Sequence, residues 1–405
     1  MVDNIPFKEI VDFALGGGWG TDIPTVDSIP VAVIRGTDFS QVEKIQTEEV
    51  PRRWENAKRA NKRLLKDGDL LLEISGGSSV KGQSTGRSLL ITQEILDAFK
   101  EAVIPASFCR LIRVRSSVIL PQYASYALQD MHRSGRAAFY ENQSTGISNF
   151  QFKVFLDREC VRVPSLHEQA SLVAVLRALD DKIAVNNRLA STADELCSLL
   201  LESRMKAKPS QFDLVPLSQT AKFINGRAFT KDATSSGRMV VRIAELNNGP
   251  GFSTVYNEIE VPEKYLARAG DVLFSWSGSL TVKRWFRSEA IVNQHIFKVI
   301  PNDGMPMWLV YQLVARKIKE FQAIAADKAT TMGHIQRRHL DDPVDVPGVE
   351  TLTELDSRIR PLWNRSLLAE QENLKLAELR DTLLPRLMSG EIRVKDAEKT
   401  VEEAT

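Results

Sequence analysis

The sequence has little cysteine, little histidine and no long apolar run. Its three cysteines, Cys109, Cys160 and Cys197, are odd in number and far apart, which argues against a disulfide framework. The five histidines are scattered, and no Cys-x-x-Cys or Cys/His cluster suggests a zinc site. The apolar runs are only a few residues long, whereas a membrane span needs about 20, and the polar N-terminus lacks a signal-peptide pattern. These absences predict a cytoplasmic protein.

An excess of charge of one sign is also missing. The 405 residues carry 53 Lys and Arg against 52 Asp and Glu, a formal net charge of +1. A nucleic-acid-binding chain is usually clearly basic, so this total counts mildly against DNA, although the distribution of charge matters more. Residues 51–66 read PRRWENAKRANKRLLK, and this basic run is predicted to be helical. A solvated helix face and a phosphate contact are both compatible with it.

Sequence signatures of catalysis are missing as well. There is no G-x-x-x-x-G-K-[ST] phosphate loop, no Asn/Asp-Pro-Pro-Tyr/Phe tetrapeptide of an amino-methyltransferase, and no G-x-S-x-G nucleophile elbow. The one Asp/Glu-x-Lys tripeptide lies at 180–182 inside a predicted helix, where a solvated face or a salt bridge is favoured over catalysis. The chain is therefore interpreted as a binding protein without a catalytic or metal site of its own.

What the chain does contain is an internal repeat, with two related halves of about 200 residues each. The matched pairs are GDLL at 68–71 with GDVL at 270–273, VIRG at 33–36 with VRI at 241–243, and LDDKI at 179–183 with LDSRI at 355–359. Each half begins with a mixed segment in which short β-type runs are punctuated by Gly, Ser, Asn and Pro, and ends with a long helical segment. The pattern predicts an α+β fold built as a pseudo-two-fold repeat.

Five segments follow from this pattern. They are a first mixed domain at 1–163, a first long helix at 164–209, a second mixed domain at 210–347, a second long helix at 348–391, and a polar acidic tail at 392–405.

The two long helices carry apolar residues at coiled-coil spacing. Leu172, Leu176, Leu179 and Ile183 are spaced by four, three and four residues; the pattern slips near 186–187 and resumes at Leu189, Ala193, Leu196 and Leu200. In the second helix, Pro361 and Pro385 are expected to kink or interrupt the backbone ladder. An antiparallel pairing would place the mixed domains at opposite ends of a rod about 60 Å long. Packing of each helix on a local core is the alternative.

Several segments resemble the specificity subunits of type I restriction-modification enzymes. They are PSLHEQ at 164–169, LDDKI at 179–183, LRDTLLPRLMSG at 379–390, GGWG at 17–20 and VIRGTD at 33–38. The resemblance covers nearly the whole chain, and its C-terminal ending is the most specific piece. One departure is that Glu168-Gln169 has no clear match at the start of the second helix, where VETL stands at 349–352.

The resemblance implies two similar α/β target-recognition domains, each reading one half of a split site in double-stranded DNA. It implies that the two long helices pair as an antiparallel coiled coil, set the gap between the half-sites and dock two methyltransferase subunits. A restriction subunit, which is the motor and nuclease, would join the assembly. S-adenosylmethionine, ATP and magnesium would be bound by those partners rather than by this chain.

Candidate DNA contacts are polar or aromatic side chains in the loops of the mixed domains, because phosphates and base edges are bound mainly by such groups. In the first domain the candidates are Trp19, Arg35, Lys81, Gln83, Arg87, Ser144 and Thr145. In the second domain they are Arg227, Arg242, Lys283, Arg284, Thr330, Thr331 and Arg337. A solvated surface is the alternative for each of them, and core packing is favoured for at least one of Trp276 and Trp285.

Two other functions are compatible with the sequence. The chain could be an unrecognised DNA-modifying enzyme, since a single sequence can hide an active site. It could also be a coiled-coil scaffold that binds only protein.

Overall fold

The computed structural model describes residues 4–76, 84–144, 147–231, 233–327 and 333–404. The first mixed domain alternates short strands with short helices. Its strands are β1 (Asn4–Pro6), β2 (Val11–Gly16), β3 (Ser28–Ile34), β4 (Arg52–Asn56), β5 (Leu70–Glu73), β6 (Ser88–Leu90), β7 (Ala102–Pro105), β8 (Cys109–Val114), β9 (Glu141–Ser144), β10 (Ile147–Phe150) and β11 (Cys160–Arg162). Its helices are α1 (Phe7–Ile10), α2 (Phe39–Val42), α3 (Ala57–Arg63), α4 (Gln93–Asp97), α5 (Pro121–Arg133) and α6 (Phe152–Arg158).

Two sheets organise this domain. One has the order β2-β8-β5-β6 with every neighbour antiparallel, and the other has the order β4-β3-β7 with β3 and β7 parallel. Apolar residues of both sheets, such as Ile34, Leu71 and Leu111, meet in one buried cluster. A strand buried on both sides is apolar at successive positions, which is why the LLL run of β5 is buried throughout.

The basic run at 51–66 is not one helix, contrary to the sequence-based prediction. Its first part is strand β4, which pairs with β3, and only its second part is helix α3. The helix begins after Asn56, whose side-chain oxygen accepts hydrogen bonds from the backbone N–H groups of Lys58 and Arg59. The backbone N–H and C=O groups of β4, which precedes this cap, are hydrogen-bonded to the neighbouring strand β3. Helical periodicity in the sequence cannot reveal such pairing between strands.

After the first domain comes the long helix α7 (Leu166–Ala207), and then the second mixed domain. The strands of the second domain are β12 (Phe212–Pro216), β13 (Ala221–Asn225), β14 (Arg238–Val241), β15 (Tyr256–Asn257), β16 (Leu266–Ala267), β17 (Val272–Ser275), β18 (Thr281–Arg284), β19 (Ala290–Val292), β20 (Ile296–Pro301) and β21 (Pro343–Pro347). Its helices are α8 (Ile243–Asn248) and α9 (Met307–Asp327).

The second domain repeats the sheets of the first. Its antiparallel sheet has the order β13-β20-β17-β18, and its second sheet has the order β15-β14-β19-β16 with β14 and β19 parallel. The repeat extends to single hydrogen bonds: Gly17 N–H donates to the Cys109 carbonyl over 3.1 Å, and Gly226 N–H donates to the Ile296 carbonyl over 3.0 Å. The internal repeat read from the sequence is therefore a structural repeat.

The chain ends with helices α10 (Val349–Ser389) and α11 (Val394–Ala404). Helix α10 continues past Pro361 and Pro385, and each proline, which has no N–H, leaves one hydrogen bond of the helical ladder unmade. The segment 392–405, predicted only as a polar acidic tail, contains α11, whose Ala397 is fully buried.

The structure divides into two compact units, 1–181 with 376–405 and 182–375. In each unit part of α7 packs on part of α10. In the first unit Asp180 forms an ion pair with Arg380 over 2.7 Å. In the second, Asn186 donates to Glu372 over 2.8 Å, and farther along α7 Arg204 pairs with Glu354. The residue numbers of the α10 partners fall as those of the α7 residues rise, so the two helices are antiparallel.

The buried stripe of α7 differs from the predicted one in its second part. Asn186, Ala190, Ala193, Cys197 and Leu201 are buried, at spacings of four, three, four and four residues. The heptad stripe therefore does not slip near 186–187 but passes through a buried asparagine, which hydrogen-bonding to Glu372 makes tolerable. Of the predicted positions, Leu196 is exposed.

Candidate nucleic-acid interface

A cleft of about 820 Å³ in the first domain brings together three of the predicted DNA contacts, Trp19, Arg35 and Arg87. Trp19 belongs to the glycine-rich loop after β2. A Cβ atom on Gly17 would lie 2.0 Å from the carbonyl oxygen of Ala106, so only glycine permits this close approach of the loop to the chain after β7. The loop thereby carries Trp19 to the rim of the cleft.

Arg35 follows β3 and is fixed by the protein itself. Its Nε and Nη2 atoms donate to the carboxylate of Asp38 over 2.7–3.2 Å, and Nη2 also donates to the carbonyl of Glu49 over 3.3 Å. The hydrogen bond to Asp38 and its nearby charge raise the pKa of the Arg35 guanidinium, although partial burial opposes this. The side chain stays partly exposed, so it can still meet an anion.

Arg87 lies just before β6 and pairs with Glu73 at the end of β5. Its Nε donates to Oε2 of Glu73 over 2.8 Å and its Nη2 donates to Oε1 over 2.7 Å. Glu73 is buried, whereas the Arg87 side chain is 41% exposed. The sequence analysis missed Glu73, although a carboxylate at the end of the apolar LLL run of β5 is a visible signal.

Two further side chains of this cleft were not predicted. Phe108 precedes β8 and is 63% exposed, which is unusual for a phenylalanine in a concave surface. His132 lies at the end of α5, where its Nε2 is 3.1 Å from Oγ of Ser84. Burial, followed by the positive charge of Arg87, lowers the pKa of His132 and so favours the neutral ring.

A second cleft of about 400 Å³ is lined by the glycine-rich loop itself, from Gly17 to Gly20. Trp19 lines both clefts, and Arg53 stacks over its ring with the guanidinium carbon 4.9 Å from the ring centre. Arg59 and Arg63 of α3 also line the second cleft. The basic run at 51–66 therefore contributes positive charge beside the first cleft.

In the second domain, Arg242 occupies the position of Arg35. Its Nε and Nη2 atoms donate to Glu245, and Nη2 donates to the carbonyl of Ser253 over 2.5 Å. Burial by itself raises the pKa of Glu245, but the hydrogen bonds and charge of Arg242 outweigh it and hold that pKa below its usual value. The matched sequences VIRG and VRI thus carry the same arginine clamp.

The other predicted contacts of the second domain divide into accessible and buried groups. Arg227 stacks over Tyr265 with its guanidinium carbon 5.3 Å from the ring centre, and Nη2 of Arg337 lies 3.5 Å from the carbonyl of Phe223. Lys283 is exposed, whereas Arg284 is buried and bound by carboxylates of α7 and α10. The structure thus gives Arg284 protein partners in place of a DNA contact.

Core packing was favoured for one of two tryptophans, and Trp285 is the buried one. Trp276 instead lies among polar and aromatic groups that the sequence analysis did not single out. Its Nε1 donates to Oδ1 of Asn225 over 2.8 Å, and its ring centre is 5.1 Å from that of His295 and 6.4 Å from that of His334.

Some predicted contacts lie outside the described residues. These are Lys81, Gln83, Thr145, Thr330 and Thr331. Ser144 ends strand β9, but its side chain lies outside the described part as well.

Within the described residues, no group of three or more His, Cys, Asp or Glu side chains is placed to hold a metal ion. In the same part of the chain, no helix combines the length and apolar character needed to cross a membrane.

No family model and no curated protein matches the chain. Solved structures do match it. The chain aligns over 96% of its length with 96% of the crystal structure of a type I restriction-modification system S subunit from M. genitalium, with 14% sequence identity and a TM-score of 0.54. The chain has the fold of an S subunit.

Two further solved structures align with the chain at lower TM-scores. One is described as the structural basis of complex assembly and conformational transition of the type I R-M system. It is 16% identical, the alignment covers 96% of this chain and 98% of that chain, and the TM-score is 0.40. The other is the HsdS subunit from Thermoanaerobacter tengcongensis, with 14% identity, 96% and 97% coverage and a TM-score of 0.33.

Proposed function

We propose that this chain is the DNA-sequence-specificity subunit of a type I restriction-modification complex and has no catalytic role of its own. The observation that carries the proposal is the structural repeat within an S-subunit fold. Two domains with the same frame present different side chains at equivalent places, which is what reading two unlike half-sites requires. Arginines, exposed aromatic groups and the basic run supply the chemistry that DNA backbones and base edges bind.

The long helices would dock the methyltransferase subunits. In the second unit α7 has two apolar faces, and one of them packs on α10. The other face carries Val185, Leu189, Leu196 and Leu199 at heptad spacing, with Val185 60% and Leu199 52% exposed. We call these four residues the outer stripe. The outer stripe is interrupted at Thr192, and an apolar stripe of this spacing fits an amphipathic helix of a partner protein.

The proposal assigns the chemistry to other subunits. Two methyltransferase subunits would bind S-adenosylmethionine, and a restriction subunit would bind ATP and magnesium. This chain would contribute the affinity for double-stranded DNA and the fixed gap between the half-sites. A chain acting only as the reader would work in the cytoplasm, where those partners meet the chromosome.

The decisive experiment maps methylated adenines in a host that co-expresses this chain with the methyltransferase encoded beside it. We expect a split motif that disappears when this chain is deleted. Unchanged methylation, with the methyltransferase present and active, would contradict the proposal. Methyltransferase binding without any affinity for DNA would then favour a protein-only scaffold. DNA modification by the purified chain, given magnesium or a methyl donor, would favour an enzyme.

Replacing two leucines of the outer stripe tests the docking surface. We expect the L196D/L199D variant to bind the methyltransferase at least about a hundredfold more weakly, since burial of each leucine contributes about 1.5–3 kcal/mol. Isothermal titration or co-purification measures the change. L214D is the matched control, because Leu214 is an exposed leucine on β12 and not on a long helix. Equal binding by the L196D/L199D variant and the control would rule out the outer stripe as the docking surface.

A further inference from the structure

The structural repeat allows the two domains to be compared position by position. Ile74 N–H donates to the Phe108 carbonyl and Trp276 N–H donates to the His295 carbonyl, so these pairs are equivalent. Strand register adds the remaining positions around the clefts. The equivalent pairs are Gly17 and Gly226, Gly18 and Arg227, Arg35 and Arg242, Gly36 and Ile243, Glu73 and Ser275, Arg87 and Thr281, and Phe108 and His295.

Positions that are the same in both domains hold the frame. A Cβ atom on Gly17 or Gly226 would lie 2.0 or 2.1 Å from a carbonyl oxygen of the neighbouring chain. Arg35 and Arg242 each bind a carboxylate three residues later and a loop carbonyl. A side chain with the same bonds in two domains cannot distinguish two unlike half-sites, so the paired arginines position the loop.

One difference between the domains replaces a charged pair by a neutral one. The first domain has Arg87 paired with the buried Glu73. At the equivalent positions the second domain has Thr281 and Ser275, and Oγ of Ser275 accepts a hydrogen bond from the Thr281 N–H over 3.0 Å. The same two strands thus form without any ion pair. The fold does not require Glu73 and Arg87, although burying a carboxylate is costly.

The space around Glu73 is adjusted to hold it. A Cβ atom on Gly36 would lie 2.3 Å from Oε1 of Glu73, so a larger residue at this position would displace the carboxylate. In the second domain the equivalent residue is Ile243, opposite the small Ser275. The first domain thus combines a glycine with a large carboxylate, whereas the second combines a large isoleucine with a small serine. The space for the carboxylate of Glu73 is therefore a feature of the first domain alone.

Glu73 also determines how Arg87 is presented. The carboxylate binds the Nε and Nη2 atoms of Arg87 and so fixes the guanidinium plane. Among the described residues, none accepts a hydrogen bond from Nη1 of Arg87. The edge formed by Nη1 and Nη2 is therefore the part of the guanidinium left for a ligand, and Arg87 lines the cleft together with Trp19 and Phe108.

We propose that Arg87 reads a guanine in the half-site bound by the first domain, with Glu73 as its positioning residue. This inference rests on the proposed function. A guanine presents two acceptors, O6 and N7, to the major groove, and their spacing matches the two-pronged guanidinium edge. Thr281 has no guanidinium edge, so the second domain cannot recognise a guanine in this way at the equivalent position.

The test compares three variants in the complex with the methyltransferase. R87K keeps the positive charge but loses the planar edge. E73S/R87T transfers the neutral pair of the second domain, which avoids leaving Glu73 buried without a partner. K44A alters an exposed lysine outside the cleft and is the control. Methylation mapping gives the motif of each complex, and binding to DNA with single base-pair changes gives the discrimination at each position.

We expect both R87K and E73S/R87T to relax the motif at one G·C pair, in one half-site, by about tenfold to a hundredfold in discrimination. The other half-site and the K44A motif should stay unchanged. If E73S/R87T bound all sequences more weakly while R87K bound them as tightly as the wild type, Arg87 would contact a phosphate. That result would overturn the inference. An unchanged motif, or a wild-type motif without a G·C pair, would also overturn it. In all of these outcomes a split wild-type motif leaves the proposed function standing.

Discussion

Replacing Arg284 with methionine is expected to destabilise the second unit by about 3–5 kcal/mol, the usual effect of removing one partner from a buried ion pair. The Arg284 side chain is only 2% exposed. Its Nε donates to Glu370 over 2.8 Å, and Nη1 and Nη2 donate to Asp194 over 3.1 and 3.2 Å. The guanidinium carbon also lies 4.3 Å from the ring centre of Trp363. Methionine fills much of the volume but takes the hydrogen-bonded cation away from two carboxylates.

Urea unfolding followed by tryptophan fluorescence measures this change, because Trp363 reports on the site directly. K283A is the matched control: Lys283 precedes Arg284 on β18 but faces solvent, so its loss should change the unfolding free energy by less than about 0.5 kcal/mol. Equal stability of R284M and K283A would mean that the buried cluster contributes nothing to anchoring β18.

The R284M variant should also respond to pH in a defined direction. Burial raises the pKa of Glu370 even beside Arg284. Without the arginine that lowers it, the folded-state pKa of Glu370 rises further above the unfolded value. The protonated form then favours the folded state, so the stability deficit is smallest at low pH and grows as the pH rises through the unfolded and folded pKa values. Unfolding curves of R284M and wild type, measured from below the unfolded glutamate pKa of about 4.3 up to pH 8, check this sign.

Lengthening both long helices by one heptad is expected to widen the gap of the DNA motif by about three base pairs. Seven residues add about 10.5 Å to a helix, and base pairs are stacked about 3.4 Å apart. The insertions belong beside Asn186 in α7 and Glu372 in α10, because these residues face each other across the antiparallel pair. A whole heptad keeps the buried stripe in phase.

Methylation mapping of the lengthened chain, co-expressed with its methyltransferase, gives the new gap. Insertion into one helix alone is the control, since it breaks the pairing of all residues beyond the insertion and should abolish methylation. A fully methylated motif with the original gap would show that the helices do not set the spacing.

The sequence predicted the features that depend on local pattern. The repeat, the two long helices and the glycine-rich loop were visible because periodicity and matched tetrapeptides are properties of neighbouring residues. The buried stripe of α7 was predicted in its first part and at Ala193 in its second. Leucine content suggested Leu196 and Leu200, whereas the heptad continued through Asn186 and Cys197, which hydrophobicity alone does not select.

By itself the sequence determined that the chain is a repeat of two α+β domains and two long helices, because strand and helix periods are encoded locally. Only the tertiary structure decided which side chains act together. Trp19, Arg35 and Arg87 are remote in the chain, and sheet register brings them into one cleft with Glu73 and Phe108. Lys283 and Arg284 are neighbours of equal charge, yet strand alternation turns one to solvent and the other into the helices. Such pairings depend on register and packing, which no local pattern specifies.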